Sequence, residues 1–293
     1  MKSAKAFAPG NISCIFVIKR TNNPATSGSL GMGFTVSEGV VAAIKSTPHN
    51  KKNSKNIAKI NKDKDISRSH VFFNNKPITF PAVNYVINKL AKEPVEVKLS
   101  SELPLGCGFG LSGASALAAA YALNGLFALK KSKKELAFIA HKADVASFSG
   151  LGDVINQYYG GFLVKYEPSF KFKAVRMPIK NKAVYCKYFS PINKKTIISK
   201  NNAKINKAGI KALNKIKQLN KNDLNLSGLI KISKEFSINS GLLKDKNAIK
   251  AIKNIEKIKG NASMIMLGNA VFSNKKFKGS KKLMISNKSA CLL

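Results

Sequence analysis

The chain has 293 residues, of which 44% are hydrophobic, and a formal net charge of +37 from 51 Lys and Arg against 14 Asp and Glu. This is enough apolar material for one large domain or two ordinary ones, but no run of 18 apolar residues forms a helical membrane span, and the first residues, MKSAKAFAPGNIS, lack the apolar core of a secretory signal. The four cysteines are scattered without a CxxC pair, which argues against a disulfide framework or a zinc site and predicts a reducing, cytoplasmic environment.

The first half of the chain alternates strand and helix patterns. The elements predicted there are, in chain order, two strands within residues 4–20 joined by a turn at APGN, a strand over 28–45, an exposed lysine-rich loop or hairpin tip over 45–65, a strand over 69–75, a helix over 81–92, a strand over 94–103, a helix from about Ser112 to Lys130, a helix over 132–146, a short helix from Asp153, and a strand. Ser132 followed by Glu135 forms a capping box, which fixes the start of the helix over 132–146.

The second half, from about residue 168, is richer in helix. Its predicted elements are two strands within 183–198, helices over 202–219, 223–238 and 245–259, a strand, tight turn and second strand or helix start within 262–273, and a strand at KLMIS. Gly260 follows the third of these helices and is predicted to cap its carboxyl end. The two halves together predict the α+β fold class.

A glycine-rich stretch separates a predicted strand from a long predicted helix. This glycine loop, residues 104–114, reads PLGCGFGLSGA. Backbone N–H groups in such a turn can point at an anion, and the amino end of the helix adds partial positive charge. The spacing matches neither the GK[ST] ending of a Walker loop nor a dinucleotide GxGxxG motif in its usual setting. Two interpretations therefore remain open, an anion-binding loop or a tight turn that packs a helix onto a sheet.

The 14 acidic residues are so few that the position of each is informative. Asp153 follows SGLG and opens a short helix, whose dipole favours the ionised carboxylate and leaves it ready to accept a hydrogen bond from a hydroxyl. Asp144 lies near the carboxyl end of the preceding helix, where a carboxylate is unfavourable unless a cation is near. The plainer alternatives are that Asp153 is a simple helix cap and that Asp144 is a surface residue paired with a lysine. The three histidines show no metal-binding spacing, and His141 is interpreted as structural or exposed.

The large positive charge has two interpretations. A basic surface can bind RNA or another polyanion. Alternatively, a drift in composition towards Lys, Asn and Ile has placed lysines on solvated faces everywhere. The lysines are dispersed from end to end and only three of the basic residues are arginine, which favours the second interpretation. We therefore expect no specific nucleic-acid partner.

The glycine loop, together with other motifs, resembles the GHMP kinase superfamily. That family carries P-x-G-x-G-L-G-S-S-A, which residues 104–114 approximate, an A-P-G motif, here Ala8-Pro9-Gly10, and a later S-G-x-D, here SGLGD with one extra residue. In detail the chain resembles the branch of archaeal pantoate kinases, because APGNIS, GSLGMG, GCGFGLSGAS, SGLGDVINQ and MLGNAVF occur in that order from residue 4 to about 273. Any one of these motifs alone is a weak signal, whereas five in order are specific.

The resemblance implies a fold and an activity. It implies an N-terminal, ribosomal-protein-like α/β domain over residues 1–167, a ferredoxin-like C-terminal domain over 168–293, and an active site between them. It implies ATP-dependent phosphorylation of the 4-hydroxyl group of (R)-pantoate on the way to coenzyme A, with Mg²⁺ and with homodimers as a common assembly. Two alternatives stay open, a kinase of the same superfamily for mevalonate, homoserine or shikimate, and an RNA-binding or other polyanion-binding protein.

The resemblance also implies roles for particular residues. Those assigned to the ATP phosphates are Pro104, Gly106, Cys107, Gly108, Phe109, Gly110, Leu111, Ser112, Gly113 and Ala114. Ser112 and Asp144 are assigned to Mg²⁺, and Asp153 to activation of the acceptor hydroxyl group. The residues assigned to the acceptor side are Asn11, Ser13, Gly31, Gly33, Gly268 and Asn269.

Three positions depart from the pattern of this branch. Asn11 stands where the branch usually has His and other members often have Lys, so an electrostatic role at that position is in doubt. Asp144 replaces the usual Glu and shortens the reach of the carboxylate by about one methylene, and Ser149 replaces the usual Thr.

Overall fold

The structure, a computed structural model, describes residues 2–47, 68–219 and 224–293. The strands in this part are β1 (Ser3–Lys19), β2 (Gly28–Ser46), β3 (His70–Phe73), β4 (Lys76–Pro77), β5 (Val95–Ser100), β6 (Phe162–Lys165), β7 (Val175–Arg176), β8 (Ala183–Ser190), β9 (Ala262–Met264), β10 (Asn269–Ser273), β11 (Lys281–Met284) and β12 (Cys291–Leu292). The α-helices are α1 (Pro81–Leu90), α2 (Leu111–Leu126), α3 (Lys133–Ala146), α4 (Asp153–Tyr159), α5 (Lys195–Ile198), α6 (Ala203–Gln218), α7 (Leu226–Asn239) and α8 (Lys246–Lys257). The predicted lysine-rich loop lies, from residue 48 onward, outside the described residues.

A long antiparallel pair, β1 and β2, organises the first sheet. The strand order is β12-β1-β2-β5-β3-β4, and β6 pairs with another part of β2 and with β7. The predicted turn at APGN is wrong, because β1 continues through Pro9 with a shift of register between Pro9 and Asn11. Proline cannot donate a ladder hydrogen bond, and a bulge absorbs it without ending the strand. Asn11 is thereby held inside a continuous strand and is fully buried.

Helix α2 is the central helix of the molecule. Thirteen of its sixteen residues are buried, and most of them are alanine or leucine. A helix that is apolar all round is stable only when it is surrounded, and the small alanines let its neighbours approach closely. It packs against β1, β2, α1 and α3. The amino end of α2, where the glycine loop ends, is therefore fixed by the core.

Helix α3 begins as predicted. The Ser132 hydroxyl accepts a hydrogen bond from the Glu135 amide at 3.2 Å, and the Glu135 carboxylate accepts one from the Ser132 amide at 2.8 Å. This reciprocal pair confirms the capping box. The helix packs against α2, α1 and α4.

The second sheet is antiparallel, with the order β11-β8-β10-β9 in the described part of the chain. The prediction of two strands within 183–198 is wrong in its second half, because β8 ends at Ser190 and the short helix α5 follows. The predicted cap at Gly260 is corrected in one respect, because the left-handed residue after the helix is Lys259 and not Gly260. The Gly260 amide donates to the Ile255 carbonyl at 3.0 Å, and a Cβ on Gly260 would lie 2.7 Å from the Ile255 side chain.

The two sheets and their helices agree with the predicted α+β class. Two strands from beyond residue 167, β7 and β12, join the first sheet, and one hydrophobic cluster runs through both halves. The boundary between 167 and 168 stays a prediction. None of the helices in the described part of the chain has both the length and the apolar character that crossing a bilayer requires.

Candidate active site

The glycine loop leaves β5 and leads into α2 through three left-handed residues. Gly106, Gly108 and Gly110 have φ angles of 81°, 95° and 62°, a region that residues with a Cβ rarely adopt. Cys107 and Phe109 between them are each only 2% exposed, and Gly108 and Gly110 are buried as well. The loop is therefore anchored in the core, with Gly106 its more accessible glycine.

A cavity of about 280 Å³ opens beside this loop and is here called the loop cavity. It is lined by part of the glycine loop, by residues 78–82 before and within α1, and by two further segments, 147–149 and 192–194. Pro104, Cys107, Gly113 and Ala114 do not line it, although the sequence assigned them to phosphate binding. Cys107, Gly113 and Ala114 are instead buried in the core, the last two at the start of α2.

Three side chains join the start of α2 to the end of α3. The Ser112 hydroxyl donates to the Ser149 hydroxyl at 2.7 Å, and the Ser149 hydroxyl donates to the Asp144 carboxylate at 2.7 Å. Asp144 is 1% exposed, so the interpretation of this residue as a surface partner of a lysine is wrong. Gly150 is needed beside it, because a Cβ there would lie 2.0 Å from an Asp144 oxygen.

The Asp144 carboxyl group is a weaker acid than an ordinary aspartate. Burial and the nearby charge of Asp153 raise its pKa to about 6, although the hydrogen bond from Ser149 and the positive charge of Lys194 act in the opposite direction. An ionised Asp144 is therefore costly in the absence of an added positive charge.

Asp153 is the first residue of α4, and its carboxylate does not cap that helix. One of its oxygens instead accepts hydrogen bonds from the side-chain nitrogen of Asn11 at 2.7 Å and from the Ser13 hydroxyl at 3.1 Å, both on β1. The interpretation of Asp153 as a simple cap is therefore wrong. A Cβ on Gly110 would lie 3.2 Å from the Asp153 carboxyl carbon, so this carboxylate also borders the glycine loop.

A buried lysine that the sequence did not single out completes this group. Lys165, on β6, is 4% exposed and donates to the side-chain oxygen of Asn156 at 2.6 Å. The Asn156 amide nitrogen in turn donates to the Asn11 side-chain oxygen at 2.8 Å, which leaves the Asn11 nitrogen facing Asp153. A lysine at the end of the apolar strand FLVK was the available signal, because a buried charge is unusual unless it has a partner.

Burial lowers the pKa of Lys165 to about 8, and the negative charge of Asp153 opposes that change.

His141, on α3, is also buried, and its ring nitrogen lies 3.0 Å from the Ser27 carbonyl oxygen. Burial lowers its pKa to about 4, so the ring is neutral near pH 7 and has a structural role.

Asp153 and Lys165 share a narrow pocket of about 20 Å³, here called the small pocket. Two serine hydroxyls line it beside them, from Ser13 and Ser29. Its remaining side chains are apolar and come from Ile15, Phe16, Leu30, Met32, Leu151 and Leu267. The small pocket thus combines one anion, one cation and an apolar wall.

Four residues assigned to the acceptor side lie elsewhere. Gly31 and Gly33 do not line the small pocket, and a Cβ on Gly33 would lie 2.8 Å from the Asn156 amide nitrogen, so this glycine allows close packing. Gly268 packs on the glycine loop, where a Cβ would lie 2.3 Å from the Cys107 carbonyl oxygen. Asn269 donates to the Ser190 hydroxyl at 2.9 Å. Of the six predicted acceptor residues, the structure therefore brings Asn11 and Ser13 to Asp153.

Comparison with known proteins gives a consistent result. Residues 77–161 match the family of the GHMP kinases N terminal domain. The chain is 32% identical over 274 residues to a pantoate kinase of Methanocaldococcus jannaschii, covering 91% of this chain and 90% of that protein, and 29% identical to a pantoate kinase of Methanospirillum hungatei over 92% and 86%.

A solved structure of a phosphotransferase related to the CoA biosynthesis pathway aligns with a TM-score of 0.81 at 24% identity, covering 99% of this chain and 98% of that one. This likeness shows that the two chains share a fold, and it confirms the predicted fold class.

Proposed function

The chain belongs to the pantoate kinases of the GHMP kinase superfamily, and from this premise we propose that it transfers the γ-phosphoryl group of ATP to the 4-hydroxyl group of (R)-pantoate. The observation that carries the proposal is the position of Asp153, whose carboxylate borders the glycine loop on one side and the small pocket on the other. A phosphoryl donor and an alcohol acceptor held in these two spaces would meet at this carboxylate.

The nucleotide is proposed to occupy the loop cavity. The bare backbone at Gly106, Gly108 and Gly110 leaves room for phosphate oxygens, and the amino end of α2 contributes partial positive charge. Apolar side chains also line the cavity, among them Phe80 and Leu105, and suit the nucleoside.

Mg²⁺ is proposed to bind at Ser112 and Asp144. Hydroxyl and carboxylate oxygens are the ligands that this ion prefers, and the buried, easily protonated Asp144 carboxyl group is a place where an added cation is favourable. The described residues contain no group of three or more His, Cys, Asp or Glu side chains that could hold a metal by themselves. The site therefore suits an ion that takes further ligands from phosphate, and such an ion, when bound, would neutralise charge on the phosphates.

The acceptor is proposed to enter the small pocket. Lys165 would pair with the carboxylate of pantoate, the apolar wall would contact its dimethyl carbon, and Asp153 would accept the hydrogen bond of the reacting hydroxyl group. Asn11 and Ser13 hold the Asp153 carboxylate in place during this step. The present space is narrower than pantoate, so binding requires the side chains at the rim to move apart.

An acceptor screen tests the proposal. Phosphate transfer from ATP would be measured with pantoate, mevalonate, homoserine and shikimate under the same conditions. We expect turnover with pantoate to be faster than with the other three. The proposal that pantoate is the acceptor would be wrong if another of these alcohols were the better substrate.

Asp153→Asn is the matched test of mechanism. The variant keeps the size of the side chain but removes its charge, so turnover should fall while binding of ATP remains. Turnover at the unsubstituted rate in this variant would contradict the role given to Asp153.

A further inference from the structure

A loop from the C-terminal half of the chain lies directly on the glycine loop. This docking loop, residues 191–194, connects β8 to α5. The Ile192 amide donates to the Gly106 carbonyl at 3.2 Å, and a Cβ on Gly106 would lie 2.9 Å from Pro191. The second half of the molecule therefore reaches the phosphate-binding wall of the loop cavity through hydrogen bonding and direct packing.

Lys194, at the end of the docking loop, lines the same cavity as the glycine backbone. Its ammonium group donates to the Ser149 carbonyl at 3.3 Å and lies close enough to Asp144 and Cys107 to favour the ionised form of each. Within the described residues it makes no ion pair with a carboxylate. Its charge is therefore still available to a ligand in the cavity.

A triphosphate in the loop cavity would need a positively charged group beside it. The glycine loop has no lysine of its own, unlike a Walker loop, and the two nearby carboxylates of Asp144 and Asp153 both repel a triphosphate. Lys165 is already bonded to Asn156 and lines the small pocket, on the acceptor side. Among the side chains that line the loop cavity in the described part of the chain, Lys194 is the one that carries a positive charge.

We propose that Lys194 contacts the phosphate chain of the bound nucleotide, so that the C-terminal half of the chain supplies a charge which the glycine loop lacks. This inference rests on the proposed kinase function, since it requires a nucleotide in the loop cavity. It extends that function by making the docking loop part of the nucleotide site.

Equilibrium binding of a nonhydrolysable ATP analogue, measured by calorimetry without any acceptor, tests this role. Lys194→Met should weaken binding on the order of tenfold, because it removes one charge-assisted contact. Lys194→Arg, which keeps the charge, should bind within about threefold of the unsubstituted protein. Lys200→Ala is the matched control, because Lys200 is an exposed lysine just beyond α5 and should leave binding unchanged.

Two measurements separate this proposal from its alternatives. If Lys194 only held Ser149 in place, Lys194→Met would lower the melting temperature and leave analogue binding unchanged, which would overturn the proposal. Because no acceptor is present, a protein that binds the analogue through Lys194 but does not phosphorylate pantoate would support this inference and contradict only the proposed acceptor. If the unsubstituted protein failed to bind the analogue, both proposals would be wrong.

Discussion

Asn11 and Asp153 are joined by a hydrogen bond of 2.7 Å across 142 residues of sequence. The orientation of the Asn11 amide is fixed from behind, because its oxygen accepts from Asn156, whose own oxygen accepts from Lys165. The Asn11 side chain is a neutral amide, at a position where the resemblance leads to an expectation of His or Lys, and the nearby positive charge is that of Lys165, to which Asn11 is linked through Asn156.

This arrangement predicts the effect of Asn11→Ala. Removing a hydrogen bond to a charged group costs about 1.5–3 kcal/mol, so kcat should fall by roughly one to two orders of magnitude as the Asp153 carboxylate loses its orientation. The KM for ATP should stay the same, since Asn11 does not line the loop cavity. Steady-state kinetics with pantoate would measure both parameters.

A control for Asn11→Ala is Asn202→Ala, which removes the amino-terminal cap of α6. It should cost about 1 kcal/mol of stability and leave kcat unchanged. An Asn11→Ala variant with unaltered kcat would show that the chain of amides does not orient Asp153.

Lys165 predicts a pH dependence of acceptor binding. Its pKa, lowered by burial to about 8, means that the charge that would attract a carboxylate disappears as the pH rises through this value. The KM for pantoate should therefore rise about tenfold for each pH unit above that point, while the KM for ATP changes little. Lys165→Arg keeps its charge at these pH values and should flatten the rise, whereas a KM for pantoate that stays constant up to pH 10 would contradict this role.

The lowered pKa of Lys165 also makes the free energy of unfolding depend on pH. Between pH 8 and the ordinary lysine value of 10.5, the unfolded chain holds a proton that the folded chain has lost. The contribution of Lys165 to the free energy of unfolding therefore increases with pH across this window. Denaturant titrations of the unsubstituted protein and of Lys165→Met at pH 7.5 and 10 would measure it, and the variant should lack this increase.

Much of the fold could be predicted from local patterns. The capping box of Ser132 and Glu135, the apolar periodicity of α1 and the alanine-rich α2 each act within a few residues, so the sequence shows them directly. The turn predicted at APGN failed because proline and glycine there serve a bulge, and only the partner strand β2 shows that pairing continues past Pro9.

The site could be predicted only in part, for a similar reason. The glycine loop and Asp153 lie in contiguous motifs, and Asp144 is one of only 14 acidic residues, so the sequence alone could propose all three. Lys165 and Lys194 lie in no motif, and each reaches the site through tertiary packing, the first from β6 and the second from the docking loop. Their roles depend on burial and on neighbours distant in sequence, which the pattern of residue types does not reveal.

The glycine loop predicts a large effect for Gly108→Ala. The φ angle of 95° is unfavourable for alanine, and the new Cβ would lie 2.9 Å from both the Gly268 Cα and the Ile265 side chain. We expect a loss of at least about 1–3 kcal/mol in the free energy of unfolding, and weaker ATP binding because the loop has to shift. Denaturant unfolding and calorimetry would measure the two effects.

A matched control for Gly108→Ala is Gly241→Ala, also left-handed with φ of 72° but facing only the flexible side chain of Lys204. It should cost backbone strain of about 1 kcal/mol and leave ATP binding intact. Equal effects of the two substitutions on ATP binding would show that the close approach of the glycine loop to Gly268 is unimportant.

The ionised Asp144 carboxylate is expected to lower the stability of the folded chain, although Mg²⁺ binding and activity require it. Its raised pKa of about 6 means that the folded chain holds this proton more tightly than the unfolded chain, so the contribution of the group to stability is lost as the pH rises from about 4 to 6. At pH 7.5 without Mg²⁺, the ionised carboxylate costs up to about 3 kcal/mol, and Asp144→Asn should be more stable than the unsubstituted protein.

Added Mg²⁺ should raise the melting temperature of the unsubstituted protein but not of the variant, which should be inactive. Asp245→Asn, a change at the partly buried amino-terminal cap of α8, is the control and should respond to Mg²⁺ as the unsubstituted protein does. An equal response of Asp144→Asn would place the ion elsewhere.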